Sequence, residues 1–202
     1  MKQYDVISFD VFDTLLVRPY VKPTDLFYEL EERYAMQGFA EKRVSAEQCA
    51  RQKYTMQEDV ALEQIYEMLE ADYQVMASRE VALEQEVLQA NDMVKRLYHE
   101  ALQMGKRIII VSDMYLSRNV LESILKDKGY VGFEEIYVSS ETGCTKASGN
   151  MYRYVLNSLG CNAEQVLHIG DNLRSDGNAC RCVGMGYLYT AFDMNCIVER
   201  MD

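Results

Sequence analysis

Basic residues are the minority charge in this sequence: 21 lysines and arginines stand against 32 aspartates and glutamates, for a net charge of -11. A surface of that sign repels nucleic acid and anionic membrane unless basic residues cluster locally. The densest basic stretch, Lys95-Arg96 followed by Lys106-Arg107, is interrupted by His99 and Glu100, so neither nucleic acid nor a membrane is expected as a partner. Long apolar runs are also lacking. Met1 leads directly into Lys2-Gln3-Tyr4-Asp5, and no stretch of about 18 or more apolar residues follows, which predicts a soluble, cytoplasmic protein with no export signal. Cys49, Cys144, Cys161, Cys180, Cys182 and Cys196 include no CxxC pair, and the two histidines, His99 and His168, do not fall near them in metal-ligand patterns. That excludes a zinc site of the usual kind and leaves reduced, structural thiols. With two prolines, eleven glycines and neither a repeat nor a low-complexity segment, nothing suggests a fibrous or disordered chain. A hydrophobic content of 49% and a charged content of 26% are those of a globular protein large enough for one core plus an inserted subdomain.

What is present divides by periodicity. Val6-Ile7-Ser8-Phe9 is a short apolar run ending at Asp10, and its length and β-branched content predict a buried strand. From residue 24 to about 105 the pattern is helical with little interruption. Thr24, after Pro23, is placed to cap a helix through Leu26, Phe27, Leu30 and Tyr34 that Gly38 ends. A second helix spans Glu41 to Lys53, with Arg43, Glu47 and Arg51 spaced to pair on one face. Further helical stretches run from Leu62 through Leu69, Val81 through Leu88 and Val94 through Leu102. Tyr28, Tyr34, Tyr66 and Tyr73 fall at helical positions and read as packing residues.

Beyond Lys106 strands alternate with helices. Strands are predicted at Arg107–Ser112, Glu135–Val138, Gln165–Ile169 and Gly186–Tyr189, with helices at Ser117–Lys128, Ser148–Leu159 and Ser175–Cys182. This is the pattern of an α/β fold, a doubly wound parallel sheet with helices on both faces. A βαβ crossover takes about 30 residues, whereas about 90 separate the first two strands. The expected organisation is therefore a core made of residues 1–16 and 106–202, with a helical cap subdomain of residues 17–105 inserted after the first strand.

Ligands of such sheets bind at the carboxyl ends of the strands. Asp10, Ser112 and Asp171 follow or end predicted strands, Asp176 stands five residues after Asp171, and Lys146 precedes a predicted helix. Taken singly, each has a plain reading: Asp10 or Ser112 in a turn, Lys146 in solvent, Asp171 or Asp176 capping a helix. His168 lies within a strand and reads as a packed histidine. Arg18 and Tyr20 follow Asp10 closely enough to reach a substrate.

In that order and at those positions the groups resemble a known family. Asp10-Val11-Phe12-Asp13-Thr14-Leu15, Ser112, Lys146 and Gly170-Asp171-Asn172-Leu173-Arg174-Ser175-Asp176 look like the four motifs of the haloacid dehalogenase-like hydrolases. The likeness spans the chain, because the helical insert falls where that family places one type of cap. The first motif with Arg18, and Ser112-Asp113-Met114-Tyr115-Leu116, are similar to a group of hydrolases often found beside or fused to bacterial glycosyltransferases. The resemblance implies Asp10 as nucleophile, forming an aspartyl-phosphate. It implies magnesium held by Asp10, Asp171 and the carbonyl of Phe12, with Asp176 binding a metal-bound water and orienting Lys146. Ser112 and Lys146 would hold the phosphoryl group, with Asp113 and Arg18 as further substrate contacts. Charge gives the same answer: converging carboxylates repel, and a hard divalent cation with oxygen ligands removes the conflict.

One position departs from the family pattern. Many of these phosphatases carry a second aspartate two residues after the nucleophile, which protonates the leaving group and activates water. Here that residue is Phe12, which moves no proton. Asp13 is one residue further on and could substitute, although consecutive residues of an extended segment point apart. The expected activity is a magnesium-dependent phosphatase or phosphotransferase acting on a small phosphorylated metabolite, a sugar phosphate among them. Two alternatives stand beside it: a metal-independent dehalogenase, which Phe12 favours and Asp171 disfavours, and a weakly catalytic binding or regulatory module linked to a glycosyltransferase.

Overall fold

The structure is a computed structural model and describes residues 1–190. Cys196 lies outside the described residues. Five strands form one parallel sheet: β1 (Val6–Phe9), β4 (Arg107–Ser112), β5 (Glu135–Val138), β6 (Val166–Gly170) and β7 (Gly186–Tyr189), in the order β5-β4-β1-β6-β7. β1 is central because all four of its residues are buried, with Ile7 between Ile108 and Leu167. After β1 the chain proceeds to β4 and β5 on one side, then returns to β6 on the other. The order thus reverses next to β1, and a crevice opens there at the strands' carboxyl ends. α5 (Asp92–Gln103) and α6 (Arg118–Asp127) pack on the sheet, the short α7 (Ser139–Thr142) follows β5, and α8 (Asn150–Leu159) and α9 (Ala179–Cys182) also pack on the sheet. No helix among the described residues is long and apolar enough to cross a membrane.

The insert leaves and rejoins the core through a two-stranded antiparallel ribbon, β2 (Leu16–Val17) with β3 (Gln89–Ala90). Between these lie α1 (Asp25–Tyr34), α2 (Phe39–Lys53), α3 (Leu62–Tyr66) and α4 (Met76–Val87). The ribbon ends at Ala90, and α5, which the expected boundaries gave to the insert, follows it. α5 is the crossover helix of the sheet: its Tyr98 ring meets Phe9 of β1 at 5.4 Å and Tyr130 at 5.1 Å. The ribbon went unread because strands of two residues show no period.

Inside the insert two ion pairs, Arg43 with Glu80 and Arg18 with Glu84, are buried, while others such as Lys42 with Glu70 stay at the surface. Arg43, with no exposure, donates to Glu80 at 2.9 and 2.8 Å, and Tyr66 donates to the same carboxylate at 2.8 Å. Arg43 also contacts Glu47, as its spacing predicts, and stacks over Phe27 and Tyr115. Tyr28 and Tyr34, read as packing residues, are exposed instead. Thr24 precedes α1 without a side-chain capping bond.

Candidate active site

Asp10 is the first residue past β1, with its amide bonded to the Ile169 carbonyl at 2.9 Å. Its side chain faces a cavity of about 460 Å³ lined by Phe12, Asp13, Asp113, Lys146, Asp171, Arg174 and Asp176 among others. Lys146 is buried, and its Nζ lies 2.5 Å from Asp10 and 2.7 Å from Asp176. Asp10, Asp171 and Asp176 each offer a carboxylate oxygen within 4.8 Å of the others. The sequence-predicted acids and lysine are thus brought to one place.

Each is held by its neighbours. The helical cap after β6 is Asn172, which accepts from the amides of Arg174 and Ser175 at 3.0 and 3.1 Å. Asp171 is released from capping and receives the Thr14 hydroxyl at 3.4 Å. A π-turn over Leu173–Asn178 then folds Asp176 back against the end of β6, the kind of irregularity that recurs at functional sites. Gly170 permits the approach, since a Cβ there would collide with the Asp176 carboxylate. Asp176 accepts from Lys146 and from the Asn172 amide, the latter at 2.9 Å, and His168 Nε2 stands 3.3 Å from it. His168 is wholly buried, with Nδ1 2.7 Å from the Ser8 hydroxyl. Asp113 uses both carboxylate oxygens on the Lys146 amide, at 2.9 and 3.0 Å.

Ser112 is fully buried at the end of β4, and its hydroxyl has no partner among the described residues. Ser112 itself is not among the residues that line the cavity, although its neighbour Asp113 is. Arg18 does not line the cavity. It is buried in a two-bond pair with Glu84 at 3.0 and 2.8 Å, and its guanidinium lies 4.2 Å from the Phe12 ring centre. Two of its three nitrogens are thus engaged within the insert. Tyr20 donates to Glu29 at 2.5 Å. Arg174, not singled out by the sequence reading, lines the cavity mouth; its place inside the last motif was the available signal.

Asp13 differs from the sequence expectation. The segment after Asp10 is not extended: Leu16 N bonds to Val11 O and Asp13 N to Leu16 O, both at 2.8 Å, and Asp13 has φ +59°. This left-handed turn puts Asp13 on the cavity wall together with Phe12. Burial raises the Asp13 carboxyl above the ordinary carboxylate range, with Arg18 opposing the rise.

Five carboxylates and two cations line this cavity. Burial pushes Asp10 up to about 7 despite Lys146, with Asp176 and Asp171 adding to the rise. Burial and the charges of Asp13 and Asp176 push Asp171 up to about 6. Burial acts on Asp176 in the same direction, but Lys146 and His168 outweigh it and hold Asp176 well below the usual range. Two oxygen ligands with raised proton affinity beside a pinned third form a donor set suited to a hard divalent cation. The residues present therefore fit magnesium.

A family model of haloacid dehalogenase-like hydrolases matches residues 4–184. No curated protein matches significantly. Among solved structures, the fold is similar to that of the HAD-hydrolase YfnB from Bacillus subtilis bound to magnesium, with TM-score 0.66 and 21% identity over 95% of this chain and 91% of that one. It is also similar to a haloacid dehalogenase-like hydrolase from Bacteroides fragilis, with TM-score 0.63 and 19% identity over 95% and 89%. The L-2-haloacid dehalogenase from Xanthobacter autotrophicus with covalently bound chloropropionic acid superimposes with TM-score 0.64 and 15% identity over 98% and 81%. At these identities the likeness concerns the fold.

Proposed function

The chain belongs to the haloacid dehalogenase-like hydrolase family, and on that premise we propose that it is a magnesium-dependent phosphatase or phosphotransferase using Asp10 as nucleophile on a small phosphorylated metabolite, such as a sugar phosphate. The observation that carries this reading is the acidic triad of Asp10, Asp171 and Asp176 within 4.8 Å. A carboxylate that attacks the carbon of a haloacid has little use for two more carboxylates beside it. A phosphate dianion, by contrast, enters an acidic cavity only when a cation offsets the charge.

Asp10 and Asp171 would hold the ion, with the Phe12 carbonyl as a further oxygen and Asp176 acting through a water. When bound, magnesium supplies charge neutralisation and polarises the phosphoryl oxygens. The Asp10 carboxylate attacks phosphorus as the bond to the leaving oxygen breaks, giving an aspartyl-phosphate. Asp13 gives its proton to that leaving oxygen, then takes a proton from the water that attacks phosphorus and frees Asp10. Lys146 and Ser112 donate to the phosphoryl oxygens.

Phe12 favours a second reading, haloacid dehalogenation, because it puts an aromatic wall where many phosphatases have an acid. One screen separates the two: phosphorylated metabolites and short 2-haloacids, each with and without magnesium, reading phosphate and halide. Magnesium-dependent phosphate release that vanishes in Asp10→Asn is the expected result. Halide release indifferent to chelation would replace the phosphatase reading with the dehalogenase one.

A further inference from the structure

The loop that carries Lys146 is gripped from outside the core. Glu58, on the insert between α2 and α3, accepts from the Thr145 amide at 2.7 Å, the Thr145 hydroxyl at 3.1 Å and the Ser148 hydroxyl at 2.6 Å through one oxygen. Its other oxygen accepts from the Asn150 amide group at 2.5 Å, and its own N–H donates to Gly143 O at 3.0 Å. These partners bracket Lys146 on both sides. Neighbouring residues tie the same stretch of insert to the loop after β4. Asp59, buried and paired with Arg51 at 2.6 Å, accepts from Ser139, whose oxygen in turn accepts the Met114 amide at 2.8 Å. Leu62 N bonds to Tyr115 O at 2.9 Å.

We propose that Glu58 is a positioning residue: by fixing Thr145, Ser148 and Asn150 it holds Lys146 on Asp10 and Asp176, so the seating of the insert sets the reactivity of the site. The proposal rests on the phosphoryl-transfer reading for its catalytic consequence, though not for the contact itself. Asp113 already fixes the Lys146 amide from the core side, and Glu58 supplies the opposing hold. The reason to assign Glu58 positioning rather than stability is exposure. It lies on the surface, and so do its bonds to Thr145, Ser148 and Asn150. Water can satisfy those donors if the carboxylate is removed, so folding loses little. Water cannot fix their directions, however, and a misplacement of about 1 Å in a reacting group can cost about 100-fold in rate.

The test compares wild-type protein with Glu58→Gln and Glu58→Ala. On p-nitrophenyl phosphate with magnesium, kcat should fall about 10- to 100-fold in Glu58→Ala with KM within about threefold. Glu58→Gln, which keeps one acceptor oxygen, should fall between. The melting temperature should move by no more than about 3 °C. Independently of any reaction, the amides of residues 143–150 should exchange faster in Glu58→Ala, and acetic anhydride should label Lys146 faster, while the amides of β1 and β4 are unchanged. Unchanged exchange and labelling would overturn the hold on Lys146. Faster labelling with unaltered kcat would overturn its catalytic consequence. If the wild type hydrolyses no phosphoester, the phosphatase reading fails, and labelling still decides whether Glu58 governs Lys146.

Discussion

Asp13→Asn isolates the proton-transfer step because the local backbone tolerates it. Asp13 occupies the left-handed region at φ +59°, where asparagine is as well accommodated as aspartate. Size and turn are kept, and only the ability to carry a proton is lost. General acid–base help is worth about 100- to 10,000-fold, or about 3–5.5 kcal/mol of barrier. The loss should appear in full on alkyl phosphates, whose leaving oxygen needs a proton. On p-nitrophenyl phosphate the departing phenolate needs little help, so the deficit moves to the second half-reaction. Stopped-flow traces should then show a burst of p-nitrophenol followed by slow turnover, with a phosphorylated Asp10 peptide in the mass spectrum. Adding Phe12→Asp to Asp13→Asn should restore only part of the rate, because the Arg18 guanidinium, 4.2 Å from the Phe12 ring centre, would draw the new carboxylate to itself. If Asp13→Asn stays within about threefold of wild type on both substrates, Asp13 is not the proton carrier and the reasoning fails.

Other perturbations address the rest of the site. Asp10→Asn should abolish turnover while the circular dichroism spectrum is retained and the metal-free melting temperature is equal or higher, since a carboxylate pushed up to about 7 by burial is removed. Magnesium at about 100 times its Kd should add about 2.7 kcal/mol, or about 5–11 °C for a chain of this length, read by differential scanning fluorimetry. That shift should be fullest above pH 7 and shrink as pH falls through about 7 and then about 6, because Asp10 and Asp171 bind protons there in competition with the ion. Glu80→Ala should cost about 3–5 kcal/mol in urea unfolding by leaving Arg43 buried without its partner, whereas Arg43→Met with Glu80→Leu should come close to wild-type stability.

The sheet and the acidic cluster were legible because both rest on strong local signals. β1 and β4 are runs too apolar for anything but a buried strand, and Asp10, Asp171 and Lys146 stand at the ends or starts of readable elements. What escaped depended on partners distant in sequence. Nothing local in the sequence sets Glu58 apart, since Thr145 and Asn150 lie about 90 residues away. The pairing of Arg18 with Glu84, 66 residues on, could not be read from local sequence either. Asp13 was misjudged for a different reason: alternation along a strand was extended past its end, where the bonds between Val11, Asp13 and Leu16 turn the chain.

The central place of β1 also bears on how the chain reaches its native state. β1 emerges first, yet its neighbours in the sheet are β4, about a hundred residues later, and β6, 160 residues later. At about 5–20 residues per second of synthesis, β1 waits several seconds for its first neighbour and longer for its second. The helices of the insert need no such wait, because α1 and α2 close on each other locally. Sheet formation then requires two distant loop closures, a topology that folds slowly and exposes strand edges meanwhile. Folding during synthesis should therefore show protected insert helices well before protected β1 amides, and dilution from denaturant should be more prone to aggregation than emergence from the ribosome.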